Sequence, residues 1–307
     1  MRALIVTNMY PSPTRPALGR FVADQVAALQ RTGQAAVEVF AFPPGDYVAG
    51  ARALRARHGR DRFDIVHAHF GLTQWPALAA PARARVVTLH GTDLAHPRSR
   101  AVTLAGLRLN DLVAVASEAM VPAIPRWARR RPPAILPVGV DLKRFYPIDR
   151  AEARRRLGLA PDDPCVLFAA DPSRPEKRYD RAQAIAGDVA LLALGNVAPE
   201  QVPLWINAAN AVLVPSEREG FGLAVLEALA CDVPVLATPV GVHPQALDGV
   251  AGTLCAPFDA SRWQAALTPH LAAANPRVQG RPRADTWSTD RMAARVIAAW
   301  RELLAAS

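Results

Sequence analysis

The chain has 307 residues, 51% of them hydrophobic and 21% charged, the balance of a folded globular protein with room for two domains of ordinary size. Pro, Gly, Arg or Asp interrupts every apolar run before it reaches the roughly 18 residues of a membrane-spanning helix, so no segment is expected to cross a bilayer. Residues 1–150 hold 21 Lys and Arg against 10 Asp and Glu, a charge of +11, whereas residues 151–307 hold 15 against 17, or −2. Such asymmetry draws anionic partners toward the first half, whether nucleic acid, anionic lipid or phosphorylated substrate. Cys165, Cys231 and Cys255 are widely spaced and lie outside any C-x-x-C or Cys/His cluster, so they read as buried small apolar residues rather than disulfide or zinc ligands.

The chain opens with ALIVT (3–7), an apolar run too short for a signal peptide and suited to a first buried strand, which makes the cytoplasm the expected location. A Pro-rich loop closes at Gly19, which either lets backbone approach a ligand or serves as a turn glycine. The loop is not a G-x-G-x-x-G fingerprint, which argues against a dinucleotide-dependent oxidoreductase. In the following RFVADQVAALQRTG, Phe21, Val22, Val26 and Leu29 form one helical apolar face and Gly33 supplies the stop. Strands are predicted at AVEVFAF (36–42), DIVHAHF (64–70), RVVTLHG (85–91), DLVAVAS (111–117) and AILPVG (134–139). His67 and His69 share one face of their strand by its period of two; with no third metal ligand in view, they read as packing and hydrogen-bonding groups. His90 ends its strand beside Gly91, where a side chain can reach a ligand, and Asp93 follows on the loop.

After GVDLKRFYP, a charged helical segment AEARRRLGL and the stretch APDDP mark the change to a second series of strands. These are CVLFAAD (165–171), VALLALG (189–195), AAVLVPS (210–216), VPVLATP (233–239) and GTLCAP (252–257). A terminal helix begins with Ser288 or Thr289 as its N-cap. The alternation predicts an α/β protein of two Rossmann-like doubly wound domains, with the ligand at the carboxyl ends of the strands in a cleft between them.

The densest chemistry lies in SEREGFGLAVLEALACDVPVLATPVG, where a strand ends at Ser216 and a glycine-containing turn leads into a helix. Gly220 and Gly222 allow close backbone approach, and the free N–H groups of the helix start suit a diphosphate. Glu219 on the turn can accept hydrogen bonds from sugar hydroxyls, and Glu227 within the helix can reach a ribose diol. The two carboxylates could instead act as general acid and base, but a loop-plus-helix placement favours hydroxyl recognition. In AADPSRPEKRYD, after the first strand of the second half, Arg174 and Lys177 are placed to meet a leaving diphosphate.

The run EGFGLAVLEALACDVPVLAT resembles the E-x7-E signature of the retaining glycosyltransferases of GT-B fold, family 4 (group 1), and the resemblance extends over nearly the whole chain. It implies that Glu219 contacts the transferred sugar, that the backbone of Gly220, Phe221, Gly222 and Leu223 lines sugar and phosphates, and that Glu227 holds the ribose. Lys177 matches the family's lysine, whereas Ala170 and Asp171 replace its usual Gly-Arg pair, so Arg174 would fill the arginine role from a shifted position. The HG-x-D pattern of His90 and Asp93 resembles the acceptor-domain motif near the transferred sugar, and Gly19 lies in a loop like the family's first one. Asp232 stands where Gly is common, and Val138 where Asn is common.

The resemblance implies an N-terminal acceptor-side domain over 1–147, a C-terminal nucleotide-sugar donor domain over 148–287, and a terminal helix over 288–307 that packs back on the first domain. The implied reaction moves a hexose-type sugar from a nucleotide-diphosphate sugar to a lipid-linked, glycan or small-molecule acceptor with retention. Attack comes from the front face, without a covalent nucleophile, cofactor or metal. The basic clusters RALRARHGRDR (52–62) and RWARRR (126–131) add the expectation of peripheral attachment to the anionic inner face of a membrane, as in cell-envelope polysaccharide assembly. Nucleic acid is not an expected partner, since the basic half lacks aromatic interleaving. The alternatives are a nucleotide-sugar epimerase or phosphorylase, and a sugar-nucleotide-binding protein without turnover.

Overall fold

The structure, a computed structural model, describes residues 1–195 and 197–306. Backbone contacts divide the chain into one unit of Met1–Gly139 with Thr289–Ser307 and another of Val140–Ser288. The first carries β1 (Arg2–Thr7), β2 (Ala36–Ala41), β3 (Phe63–His69), β4 (Ala82–Leu89), β5 (Leu112–Val115) and β6 (Ala134–Ile135), in the order β2-β1-β3-β4-β5-β6. The second carries β7 (Cys165–Phe168), β8 (Ala190–Ala193), β9 (Ala211–Val214), β10 (Val235–Ala237) and β11 (Leu254–Cys255), in the order β11-β10-β9-β7-β8. Every pairing is parallel. Central strands covered on both faces need continuous apolar sequence, and Ala3, Leu4, Ile5 and Val6 of β1 are all fully buried. Two parallel α/β sheets with intervening helices bear out the expected fold class.

In the first unit, the helix Arg20–Arg31 and the terminal helix Thr289–Ala305 cover one face of the sheet. Val22, Val26 and Leu29 meet Met292, Val296 and Trp300 over Ile5, Ile65 and Val86. Trp300 is fully buried, its ring edge-on to His67 at 5.7 Å. The core of the second unit gathers Val166, Phe168, Ile185, Leu213, Leu236, Trp263 and Leu267.

The contact boundary at Val140 lies upstream of the change in sequence pattern because the segment that follows is tied to the second unit. Arg281 donates to the carbonyls of Leu142 and Phe145, and Asn207 accepts from the Ile148 N–H. The charged segment after it is not a solvated linker. Its helix, Arg150–Leu157, buries Arg154, which is 1% exposed and donates to the carbonyls of Ala208, Ala160, Pro161 and Asp163. A guanidinium has five donors, so carbonyls can satisfy it where no carboxylate is near. Cys165 and Cys231 are buried as expected, but Cys255 is only half-buried because it sits on the two-residue edge strand β11. Among the described residues no helix is long and apolar enough to cross a membrane.

In each sheet the chain winds first one way and then the other. β1 lies between β2 and β3, and β7 lies between β8 and β9. Loops leaving the carboxyl ends of such neighbours diverge and open a crevice, the usual ligand position in doubly wound sheets. The loops that matter are therefore those after β1 and β3 in one unit and after β7 and β9 in the other.

Candidate functional site

In the second unit, the loops after β7 and β9 carry the predicted charges and are bound together. The Glu217 N–H donates to the Glu176 carbonyl at 2.9 Å. Lys177 Nζ lies 2.7 Å from both Oε1 and Oε2 of Glu219, with the two side chains only 14% and 9% exposed. Ser216 Oγ donates to Glu219 Oε1 at 2.8 Å, and the Ser216 carbonyl accepts from Thr238 Oγ1 beyond β10. Three hydrogen bonds from two groups, Lys177 and Ser216, thus occupy most of the roughly four acceptor positions of one carboxylate. Arg174 behaves differently: it is exposed and gives Nε and Nη2 to Glu176 Oε1 at 3.0 and 2.7 Å.

The glycine turn then leads into the helix Leu223–Ala230. Gly222 has φ +105°, and a Cβ there would stand 2.5 Å from His243 Nε2. The Phe221 ring is buried, and its carbonyl accepts from the Val242 N–H at 2.7 Å, so what the turn can offer a ligand here is N–H. The helix start has no side-chain cap and no acidic residue in its first turn. Unsatisfied N–H groups at the positive end of the helix dipole favour an anion. Glu227 is half-buried, just over one turn into the helix.

His243 is fully buried and its Nδ1 lies 2.8 Å from the Thr238 carbonyl. Burial lowers its pKa, opposed by the nearby Glu219. The neutral ring therefore donates through Nδ1 to the carbonyl and leaves Nε2 as an acceptor behind Gly222.

In the first unit, β3 ends at His69 and the loop after β4 begins at His90. His69 Nδ1 and His90 Nε2 are 3.0 Å apart. The rings of His67 and His69 stack at 4.7 Å, and the His90 ring lies nearly parallel to that of His69 with centroids 5.3 Å apart, the two meeting edge to edge through that hydrogen bond. Phe21 and Phe70 close around His90 at 4.9 and 4.7 Å. Burial pushes the pKa of His69 down to about 3 and those of His67 and His90 well below the usual imidazole range, so all three rings are neutral at pH 7. Asp93 staples the two loops: it accepts from the N–H groups of Gly71, His90 and Gly91 at 3.1, 3.1 and 2.9 Å. Gly19 has φ +63°, and a Cβ would lie 2.1 Å from the Met9 carbonyl oxygen. Its lack of a side chain lets the chain fold against Met9 and start the helix that brings Phe21 to His90.

The sequence profile for Glycosyltransferase Family 4 matches residues 5–144, and that for Glycosyl transferases group 1 matches residues 159–272. A D-inositol 3-phosphate glycosyltransferase of Mycobacterium avium is 32% identical over 84% of this chain and 74% of that protein. One of Geodermatophilus obscurus is 30% identical over 85% of this chain and 72% of that protein. The chain belongs to glycosyltransferase family 4.

Solved structures agree on the fold of this family 4 glycosyltransferase. Sucrose-phosphate synthase from Thermosynechococcus elongatus superposes with a TM-score of 0.75 at 21% identity, covering all of both chains. Anabaena HepE in complex with UDP and glucose superposes with a TM-score of 0.72 at 16% identity, covering 98% of this chain and 99% of that one. The fold is GT-B.

Within the second unit of this glycosyltransferase, the structure brings Lys177, Glu219 and the turn Gly220–Leu223 together, while Arg174 is engaged with Glu176. Sequence reading missed Ser216, Thr238 and His243, which hold Glu219 and Gly222 from behind. It read His69 as a packing and hydrogen-bonding group, which it is, without naming His90 as its partner. Their only signal was position, since each follows or ends a strand on the ligand-binding edge. Asp232, where the family commonly has Gly, has φ +55°, which accounts for the glycine. Here its carboxylate accepts from the N–H groups of Gly280 and Arg281 at 2.9 and 2.8 Å, a local compensation for the left-handed backbone.

Proposed function

We propose that this enzyme transfers a hexose-type sugar from a nucleotide-diphosphate sugar to an acceptor hydroxyl with retention of anomeric configuration. The observation that carries the reading is the Lys177–Glu219 pair beside an uncapped helix N-terminus, between β7 and β9. In the reaction, the bond between the anomeric carbon and the diphosphate breaks. The acceptor oxygen bonds to that carbon on the same face and passes its proton to the departing diphosphate. Lys177 and the N–H groups of Gly222 and Leu223 meet the developing negative charge. Glu219 accepts from sugar hydroxyls, Glu227 from the ribose diol, and His90 hydrogen-bonds a sugar hydroxyl. Arg174 joins the diphosphate by exchanging Glu176 for it. With cationic side chains in this role, turnover requires no divalent metal.

The acceptor is proposed to carry phosphate, on the support of the +11 charge of residues 1–150 and the name shared by the relatives. Incubation with a panel of nucleotide sugars, in chelator, is expected to release nucleoside diphosphate only with an acceptor present, and to give a product with the donor's anomeric coupling by NMR. Inositol phosphate and a lipid phosphate form the two acceptor arms. Epimerised donor without diphosphate release, or an inverted product, overturns the reading.

A lipid-borne acceptor is favoured by one surface of the first unit. Trp75 donates to the Val102 carbonyl and Arg108 to the Trp127 carbonyl, so these exposed groups adjoin. Trp127 is 63% exposed, and Arg98, Arg100, Arg126 and Arg131 accompany the apolar side chains without an acidic residue in 97–109 or 126–131, while Arg130 pairs with Asp111 at 2.9 Å. Apolar anchors among arginines suit an anionic bilayer, which would place the enzyme peripherally on the inner membrane face in cell-envelope polysaccharide synthesis. Cosedimentation with phosphatidylglycerol vesicles is expected, and it should weaken severalfold in Trp127→Ala. Equal partition into phosphatidylcholine vesicles removes the proposal.

A further inference from the structure

The three adjoining histidines of the first unit lie at the carboxyl ends of β3 and β4, yet only His90 has a place in the proposed chemistry. His69 Nδ1 and His90 Nε2 are in hydrogen-bond contact at 3.0 Å, so one of the two nitrogens carries the proton and the other accepts it. The far side of His69 decides which. Its Nε2 is buried and has no hydrogen-bond partner among the described residues. If His90 were the donor, neutral His69 would have to carry its only proton on that Nε2, leaving a buried N–H without an acceptor. If His69 donates through Nδ1, the orphan at Nε2 is a lone pair. Orphaned buried donors are the rarer of the two in native proteins.

We infer that His69 is a positioning residue that donates through Nδ1 to His90 Nε2 and thereby holds His90 as the tautomer with its proton on Nδ1. His90 is half-buried, and with its Nε2 turned to His69 its Nδ1 is the ring nitrogen left for a ligand. The geometry of the pair is held on every side. Asp93 fixes the backbone N–H of His90, Phe21 and Phe70 flank its ring, and His67 stacks behind His69 with its own Nε2 2.7 Å from Thr88 Oγ1. As an Nδ1–H donor, His90 can give a hydrogen bond to a sugar oxygen, and it cannot take the acceptor's proton through that nitrogen. The functional consequence rests on the reading of His90 as a sugar contact; the tautomer does not.

Long-range proton–nitrogen correlation spectra of the whole protein, labelled with ring-15N histidine and read at neutral pH, distinguish the tautomers, with His90→Gln identifying the His90 signals. The expected result is a protonated Nδ1 on His90 in the unmodified protein, and a shift to the Nε2–H form that a solvated histidine side chain prefers in His69→Phe, which keeps a stacked ring but no donor. His69→Asn places a carboxamide N–H at the position of Nδ1 and should restore the Nδ1–H form. Loss of one well-aligned donor should lower kcat about tenfold in His69→Phe with donor KM within about twofold, and His69→Asn should recover most of it. A protonated Nε2 on His90 in the unmodified protein overturns the inference, whether or not the variants fold. A tautomer change in His69→Phe without a change in kcat upholds the inference and instead overturns the role given to His90.

Discussion

Glu219→Ala is expected to lower kcat for sugar transfer by roughly 10²–10³-fold while leaving the affinity for free nucleoside diphosphate unchanged or severalfold tighter. The reason lies in the pairing. Lys177 gives its ammonium to both oxygens of Glu219 at 2.7 Å, so without donor each neutralises the other. Removing the carboxylate takes away the acceptor for sugar hydroxyls and frees the cation for the diphosphate. Lys177→Ala should have the opposite profile, with diphosphate binding weakened and Glu219 left with Ser216 as its donor. Breaking one side of a largely buried ion pair also destabilises, by about 3–5 kcal/mol at full burial and less at the 9–14% exposure seen here. Calorimetric titration with nucleoside diphosphate, beside steady-state transfer rates for both variants and the double variant, measures this. Equal loss of diphosphate affinity in Glu219→Ala and Lys177→Ala sinks the division of labour.

The second large effect is expected at Gly222. An alanine there must adopt φ near +105° and place its Cβ 2.5 Å from His243 Nε2. Backbone held in so sparse a region costs an L-residue about 1–3 kcal/mol, and the contact adds to it because both His243 and the Phe221–Val242 hydrogen bond hold the turn in place. The turn should move, carrying the first N–H groups of the helix Leu223–Ala230 out of line. Donor KM is expected to rise at least tenfold, with a fall in melting temperature of several degrees. Combining Gly222→Ala with His243→Ala relieves the contact but not the backbone strain, so partial recovery of KM is expected. Full recovery would mean the clash alone mattered; unchanged KM in Gly222→Ala would show that the turn does not bind the donor.

Much of the fold is legible because hydrophobic patterning is local. The run Ala3–Val6 has no polar residue to face solvent, and only a strand buried on both sides accommodates it. The family of the chain was legible for a similar reason: the stretch from Glu219 to Thr238 is continuous, so its chemistry and its structure lie in one segment. Arg154 shows where local reading stops. A triple arginine reads as solvated charge, and it is the carbonyls of Ala208, Ala160 and Pro161, turned toward the first of the three, that make its burial tolerable.

The sequence alone determined the alternation of strands and helices, the two parallel sheets that follow from it, and the glycosyltransferase family. The tertiary structure decided which side chains act together. Lys177 and Glu219 are 42 residues apart, and His69 and His90 are 21 apart. Each pair meets because its strands are neighbours in a sheet, β7 beside β9 and β3 beside β4. Strand order depends on how whole elements pack and cross over one another, and no local periodicity carries that information. The same holds for proton positions. Whether His90 donates or accepts depends on burial and on an unpartnered nitrogen of His69, and these exist only once the sheet has formed.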